Sequence, residues 1–196
     1  AGTGRLSCRE PNLQNIPRAD TDLGRSVRLM FKAPEGRTLV QADYSQLELR
    51  VAAMLSGDPE MAAIFQSGVD YHMRTAQLVS KQMWGIQPDE CMKAHRTAAK
   101  SFNFGLLYGM SDYGIAKAIG ISPDEAERLR AAILGKFKVL ARWIREQLQF
   151  AKRHGYTRTY WQGSPARRRA LPGLYSRDKG MRRHSERATW NTPVQG

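Results

Sequence analysis

The segment Asp43-Tyr44-Ser45-Gln46-Leu47-Glu48-Leu49-Arg50 puts a carboxylate where an alternating apolar run gives way to a helical pattern. A strand end of that kind holds an aspartate rigidly and partly desolvated. That suits Mg2+, which takes oxygen donors in strict geometry and usually bridges protein carboxylates to substrate phosphates. The backbone carbonyl of Tyr44 can join the same ion. An aspartate before a helix also serves as a cap or turn former, and this segment alone leaves both roles open.

Arg96, Lys100, Phe104 and Tyr108 recur every four residues ahead of Gly109. On a helix each such step turns about 400°, so the four side chains form one slowly drifting stripe. Ala99, Phe102 and Leu106 fall on another face and can pack against the body of the protein. Two cations early in the stripe can clamp a polyphosphate, and two rings late in it offer a flat surface to a base or sugar. A basic amphipathic helix with core aromatics has the same spacing. Gly105 and Gly109 favour binding, because a helical glycine costs about 1 kcal/mol relative to alanine and admits close approach of something bulky. A third group, Pro11-Asn12-Leu13-Gln14-Asn15-Ile16-Pro17, sets amides between prolines. It is suited to phosphate, sugar and minor-groove contacts, or else is a loop built on Asx turns.

These groups need elements to hold them. Residues 1–26 read as an irregular, extended surface segment. Val27 to Lys32 alternates apolar and polar, Pro34-Glu35-Gly36 is a turn, and Thr38 to Ala42 reads as a second strand, so an antiparallel hairpin is predicted to lead into Asp43. From Gln46 the period becomes helical, with a short helix ending near Ser56-Gly57. Asp58-Pro59 has the N-cap and first-position proline of a helix through Phe65. Further helices are predicted at about 70–84, 88–109, 112–119 and 123–154, the last opened by the capping-box spacing of Ser122 and Glu125 and stopped by Gly155. Residues 156–172 predict a β-hairpin or long loop, and a helix from about 177 to 195 follows. The fold class expected is α+β and mainly helical, without internal repeats.

The chain has 196 residues, 31 Lys and Arg against 18 Asp and Glu, and a net charge of +13. With 41% hydrophobic and 25% charged residues it has globular composition. No apolar run approaches the roughly 20 residues needed to span a bilayer, so no membrane role is expected. Cys8 and Cys91 follow no metal spacing and read as two reduced thiols of an intracellular protein. From Arg142 to Arg187, thirteen Lys and Arg face three acids, interleaved with Tyr156, Tyr160, Trp161 and Tyr175. Basic stretches mixed with aromatics match a phosphate backbone with exposed bases better than they match a membrane surface, while a plain solvated face has a similar composition. The chain lacks an initiator Met and stops at Asn191-Thr192-Pro193-Val194-Gln195-Gly196, from which a piece of something longer is expected.

Thr3-Gly4-Arg5-Leu6-Ser7, the Pro11–Pro17 segment, the Asp43–Arg50 segment, the Arg96–Gly109 helix and Asn191–Gly196 stand in the order found in family A DNA polymerases. The chain resembles the bacterial and phage members of that family from its first residue to its last. The resemblance implies an incomplete right-hand polymerase fold, with antiparallel palm strands and a helical fingers subdomain. Residues 1–57 would be part of the palm, 58–154 the fingers, and 155–196 a basic hairpin with a return helix toward the palm. It implies template-directed DNA synthesis, with nucleotidyl transfer from a dNTP to a primer 3′-OH and two Mg2+ ions.

By the same resemblance, Asp43 binds both ions and the Tyr44 carbonyl one of them. Arg96 and Lys100 face the dNTP triphosphate, with Lys100 counted as catalytic, and His72 helps hold the phosphates. Gln46 belongs to the nucleotide site. Glu48 is the steric gate against a ribose 2′-OH. Phe104 packs on the sugar and base, a residue type that goes with discrimination against dideoxynucleotides. Tyr108 stacks at the template site. Arg5, Asn12, Gln14 and Asn15 match positions at the primer-template duplex, as Arg187, Asn191 and Gln195 do near the primer terminus. A cytoplasmic setting, in a bacterium or a phage-infected host, goes with these roles.

One departure matters. The family's second catalytic carboxylate comes from a His-Asp-Glu motif on a later hairpin, which is not found in this sequence. The expected partners are therefore primer-template DNA, dNTPs and the remainder of a polymerase chain, meaning the thumb and the palm portion with that motif. The fragment alone is expected to be inactive. A non-catalytic nucleic-acid-binding module, one half of a split polymerase, and a single-subunit RNA polymerase are the alternatives. Glu48 speaks against the last.

Overall fold

The computed structural model describes residues 3–161 and 164–196, Trp161 by its backbone only. The chain forms two compact units, Ala1–Ser45 and Gln46–Gly196.

The first unit is mostly irregular backbone. Asn12 opens a 3-10 turn, Leu13–Asn15, by accepting the Gln14 N–H on its side chain. Thr21 caps helix α1 (Asp22–Leu29), its hydroxyl accepting the Gly24 N–H at 3.0 Å. This helix replaces the strand expected at Val27–Lys32, and residues 38–42 carry no regular structure, so the hairpin ahead of Asp43 does not form. The cause is local. Thr21-Asp22 supplies an N-cap and a first-turn acid, and Arg28 anchors the helix by donating to the Pro17 carbonyl at 2.8 Å. The competing alternation is short and has no covered face: Leu29 is 71% exposed and Val40 89%. A strand pattern stabilises only where one side packs.

The second unit is helical. In order come α2 (Leu47–Ser56), α3 (Pro59–Gln66), α4 (Tyr71–Trp84), a 3-10 turn (Pro88–Glu90), α5 (Lys93–Leu107), α6 (Asp112–Ile119), α7 (Pro123–Lys136) and α8 (Lys138–His154). Strands β1 (Tyr156–Trp161) and β2 (Ser164–Ala170), a 3-10 turn (Pro172–Tyr175) and α9 (Lys179–Gln195) complete it. Asp58, Asp70, Ser111, Ser122 and Asp178 each cap a helix start with their side chains. Leu49, Met61, Val79, Phe102, Ile115, Leu129, Ile133 and Leu140 form the core. Burying side chains of this size contributes about 1.5–3 kcal/mol each. Tyr71 stacks between Phe65 and Phe137, with centroids at 4.9 and 5.9 Å.

Two helix boundaries differ from expectation. The helix predicted from residue 88 starts at Lys93, after the turn that Pro88 opens. The long helix at 123–154 is two, broken at Phe137, whose φ of −96° and ψ of 62° leave the helical region. Phe137 is 1% exposed, its ring packed on Tyr71, and its side chain cannot cap α8. Asp58 supplies that cap from a distance. Its Oδ1 accepts the Glu60 and Met61 N–H groups at the start of α3, and its Oδ2 accepts those of Val139 and Leu140 at 3.1 and 2.9 Å.

β1 and β2 pair antiparallel, Tyr156 against Ala170 and Arg158 against Arg168, with an irregularity between Arg158 and Tyr160. This hairpin stands where residues 156–172 predicted one. It also supports α9. Pro193 lies inside α9, where it has no N–H to give the Thr189 carbonyl. The buried Thr157 hydroxyl of β1 donates to that carbonyl at 2.7 Å.

Candidate nucleotide-binding face

Helix α5 divides its residues as its spacing predicts. Ala99, Phe102, Asn103 and Leu106 are buried, while Arg96, Lys100, Phe104 and Tyr108 lie on the less covered side, Tyr108 at the C-cap. The Phe104 and Tyr108 rings are stacked, 6.0 Å apart and within 9° of parallel, and His72 of α4 packs on Phe104 at 5.6 Å.

Charged and polar groups flank these rings. Asp70 caps α4 by accepting the Met73 N–H at 2.7 Å, and holds Arg96 by two bonds, from Nε at 2.9 Å and Nη2 at 2.8 Å. Burial works to raise the Asp70 pKa, but the Arg96 and Met73 hydrogen bonds and the Arg96 charge outweigh it and hold the carboxyl below its usual range. Arg96 is thus oriented by Asp70, and Lys100 is the exposed cation of the stripe. His72 is buried, and desolvation takes its pKa down to about 4, with Asp70 opposing and Arg96 and Lys100 adding to the shift. It is a neutral ring at pH 7, not a third cation.

At the far end of the stripe the Tyr108 hydroxyl donates to Glu48 Oε2 on α2, and Gln195 Nε2 of α9 reaches Glu48 Oε1 at 3.4 Å. The Trp190 indole N–H donates to the Leu107 carbonyl at 2.9 Å. Gly109 has φ of +62°, and a Cβ there would lie 2.2 Å from the Arg187 side chain and 2.8 Å from the Trp190 ring. Gly105 similarly abuts Ile115, at 3.1 Å. The bulky neighbours that these glycines were expected to admit are therefore side chains of the same chain, from α9 and α6. Beside them a cleft of about 430 Å³ is lined by Met110, Arg130, Arg145, Arg183, Arg187 and Trp190. Arg130 is held there by Asp112 and by the Met110 carbonyl.

The structure thus brings Glu48, His72, Arg96, Phe104, Tyr108 and Gln195 into one connected set. Asn191 is half-buried on α9. Gln46 precedes α2 with φ of 56°, a left-handed conformation uncommon outside glycine. Asp43, Tyr44, Arg5, Asn12, Gln14 and Asn15 belong to the first unit and are exposed. Asp43 sits on irregular backbone, so the buried strand end expected for it is corrected. The Gln14 amide donates to the Leu6 carbonyl at 3.1 Å, which ties the Pro11–Pro17 segment to the stretch before it. Asp70, Thr75, Asn103 and Trp190 were not singled out from sequence. Asp70 alone carried a signal there, as the capping residue before a helix.

The profile of DNA polymerase family A matches residues 1–196. The chain belongs to that family. It is 42% identical over 197 residues to DNA polymerase I of Chloroflexus aurantiacus, covering 100% of this chain and 20% of that protein. To the thermostable DNA polymerase I of Thermus filiformis it is 43% identical, covering 99% of this chain and 22% of the relative. The POL domain of Pol1 from M. smegmatis, solved in complex with DNA primer-template and dNTP, superimposes with a TM-score of 0.83 at 37% identity. That match covers 100% of this chain and 33% of the solved one. The chain thus spans about a fifth of the length of the curated relatives. Its mainly helical build, with a small antiparallel sheet among the described residues, is part of the polymerase fold.

Family A membership implies a divalent metal, and the donors fit in kind. The Asp43 carboxylate and the Tyr44 carbonyl are hard oxygens, which Mg2+ prefers, and both residues are exposed. Among the described residues no three His, Cys, Asp or Glu converge to hold an ion by themselves. Phosphate oxygens and a further carboxylate would have to complete such a site.

Proposed function

We propose that this chain is the nucleotide-selecting part of a DNA-directed DNA polymerase, which adds dNTPs to a primer 3′-OH on a DNA template with Mg2+. The observation that carries this reading is the α5 face. Lys100 and the Asp70-oriented Arg96 stand ready for a triphosphate, and the stacked Phe104 and Tyr108 rings for the sugar and base. Tyr108 bonded to Glu48 closes the end of that face, where a carboxylate would oppose a 2′-OH. Asp43 and the Tyr44 carbonyl would hold Mg2+, which supplies charge neutralisation at the phosphates and activation of the attacking hydroxyl. Arg5, Asn12, Gln14, Asn15, Arg187, Asn191 and Gln195 would contact primer-template DNA. Gln46 and His72 would complete the nucleotide site. The intracellular setting of DNA synthesis, in a bacterial or phage-infected cell, goes with this role.

Asp43 is one carboxylate, and two-metal transfer needs a second beside it. These 196 residues alone are therefore expected to bind without extending a primer. The test measures dATP and primer-template binding to the chain by fluorescence anisotropy, and primer extension with Mg2+ in parallel. The expected result is saturable binding of both, a tenfold or greater loss of dATP affinity in Lys100→Ala, and no extension. Unchanged dATP affinity in that variant would overturn the triphosphate reading, and extension by the chain alone would overturn the need for a second carboxylate.

A further inference from the structure

Asn103 and His72 face each other from the buried sides of α5 and α4, each 2% exposed. The donors and acceptors around them form a closed chain. The Thr75 hydroxyl donates its one hydrogen to the Tyr71 carbonyl at 2.8 Å, which leaves its oxygen only to accept. Asn103 Nδ2 lies 3.2 Å from that oxygen and 3.1 Å from His72 Nδ1. An amide nitrogen has two hydrogens and accepts nothing. Turning the amide over would set its carbonyl oxygen against a hydroxyl with no hydrogen left to give. His72 Nδ1 must therefore accept, and a neutral ring then carries its hydrogen on Nε2.

We propose that Asn103 is a positioning residue that locks His72 in the Nε2–H tautomer, so that His72 meets an anionic ligand as a fixed neutral donor. This rests on the reading of the α5 face as a triphosphate site. Among the described residues every buried side-chain nitrogen and oxygen has a hydrogen-bond partner. Nε2 makes no such bond and is therefore not a fully buried atom. The titratable and charged groups facing the ring are Asp70, Arg96 and Lys100, with the Tyr71 ring edge-on at 6.1 Å. Burial and the two cations keep the ring uncharged at neutral pH. Arg96 and Lys100 thus supply charge, and His72 supplies direction. A directional neutral donor keeps its strength as pH varies through the range where a free histidine would switch.

The test records the two ring nitrogens of His72 by 15N NMR in the intact chain, from about pH 5.5 to 8, before and after adding inorganic tripolyphosphate. The expected spectrum has Nδ1 unprotonated and Nε2 protonated throughout, with the Nε2 signal moving on addition of tripolyphosphate. Asn103→Asp offers Nδ1 a carboxylate, which favours the imidazolium, so His72 is expected to titrate inside that window. A wild-type ring protonated on Nδ1, or one titrating near its ordinary value, overturns the tautomer lock, and needs no variant to be seen. A folded Asn103→Asp chain whose His72 does not titrate overturns the role of Asn103. A correct tautomer whose Nε2 ignores tripolyphosphate overturns the donor role of His72, while the Lys100 affinity measurement separately decides the triphosphate site.

Discussion

Removing the Asp58 carboxylate should destabilise the second unit more than an ordinary cap loss, because one side chain closes two helices. Its Oδ1 serves α3 and its Oδ2 serves α8, where the chain breaks at Phe137 without a local cap. A lost N-cap costs about 1 kcal/mol, and buried N–H groups left without an acceptor add to that. Asp58 is 1% exposed, so water cannot easily replace it. Asp58→Ala should therefore lose about 2–4 kcal/mol, a large share of the 5–15 kcal/mol typical of a domain. Asp58→Asn retains one accepting oxygen for α3 but turns an NH2 group toward the Val139 and Leu140 N–H groups, and should lose about half as much. Urea unfolding followed by circular dichroism measures both. An alanine variant within about 0.5 kcal/mol of wild type would refute the double cap. An asparagine variant as stable as wild type would refute the α8 half of it.

Three other outcomes follow from the same geometry. Because the His72 pKa falls to about 4 on folding, the unfolded chain binds more protons between about pH 4 and 6.5, so stability should drop as pH falls through that window; urea midpoints that stay flat there would contradict a buried neutral ring. Thr157→Val keeps the side-chain shape but orphans the Thr189 carbonyl beside Pro193, and should cost about 1–3 kcal/mol in thermal or urea unfolding. Glu48→Ala removes the acceptor of the Tyr108 hydroxyl and should bring the affinities for ATP and dATP closer together, whereas an unchanged ratio would remove Glu48 as the sugar gate.

Most of the second unit is legible in the sequence because its helices announce their own ends. Asp58-Pro59, Ser122 with Glu125, and Gly155 are local signals, and the observed boundaries lie at or beside them. The predictions that failed either depended on residues far away in sequence or set a weaker pattern above a local cap or turn. The α7–α8 break depends on Phe137 packing against Tyr71 and on a carboxylate 81 residues away in sequence. The hairpin predicted ahead of Asp43 rested on alternation alone. There the Thr21 cap and the exposure of Leu29 and Val40 decide for a helix followed by irregular backbone.

The candidate site divides along the same line. A four-residue spacing is a local property, so the less covered stripe of α5 was legible as a set. What orients it is not local, because Asp70, Asn103, Glu48, Trp190 and Gln195 reach it from α4, from the buried side of α5 itself, from α2 and from α9. Their number explains why a half-buried stripe can be fixed. Arg96 is held by Asp70, His72 by Asn103, Tyr108 by Glu48, and the Leu107 carbonyl by Trp190. Lys100 is the exception, an exposed cation at the centre of a held set. A flexible ammonium suits a ligand group whose charge and position change during transfer, whereas a planar, pre-oriented guanidinium suits one that stays put. Under the proposed function, that division would give Arg96 to binding alone and Lys100 both to binding and to the step itself. In a chain that carries the full catalytic centre, Lys100→Ala should therefore lower kcat more than it raises KM, and Asp70→Asn should do the reverse.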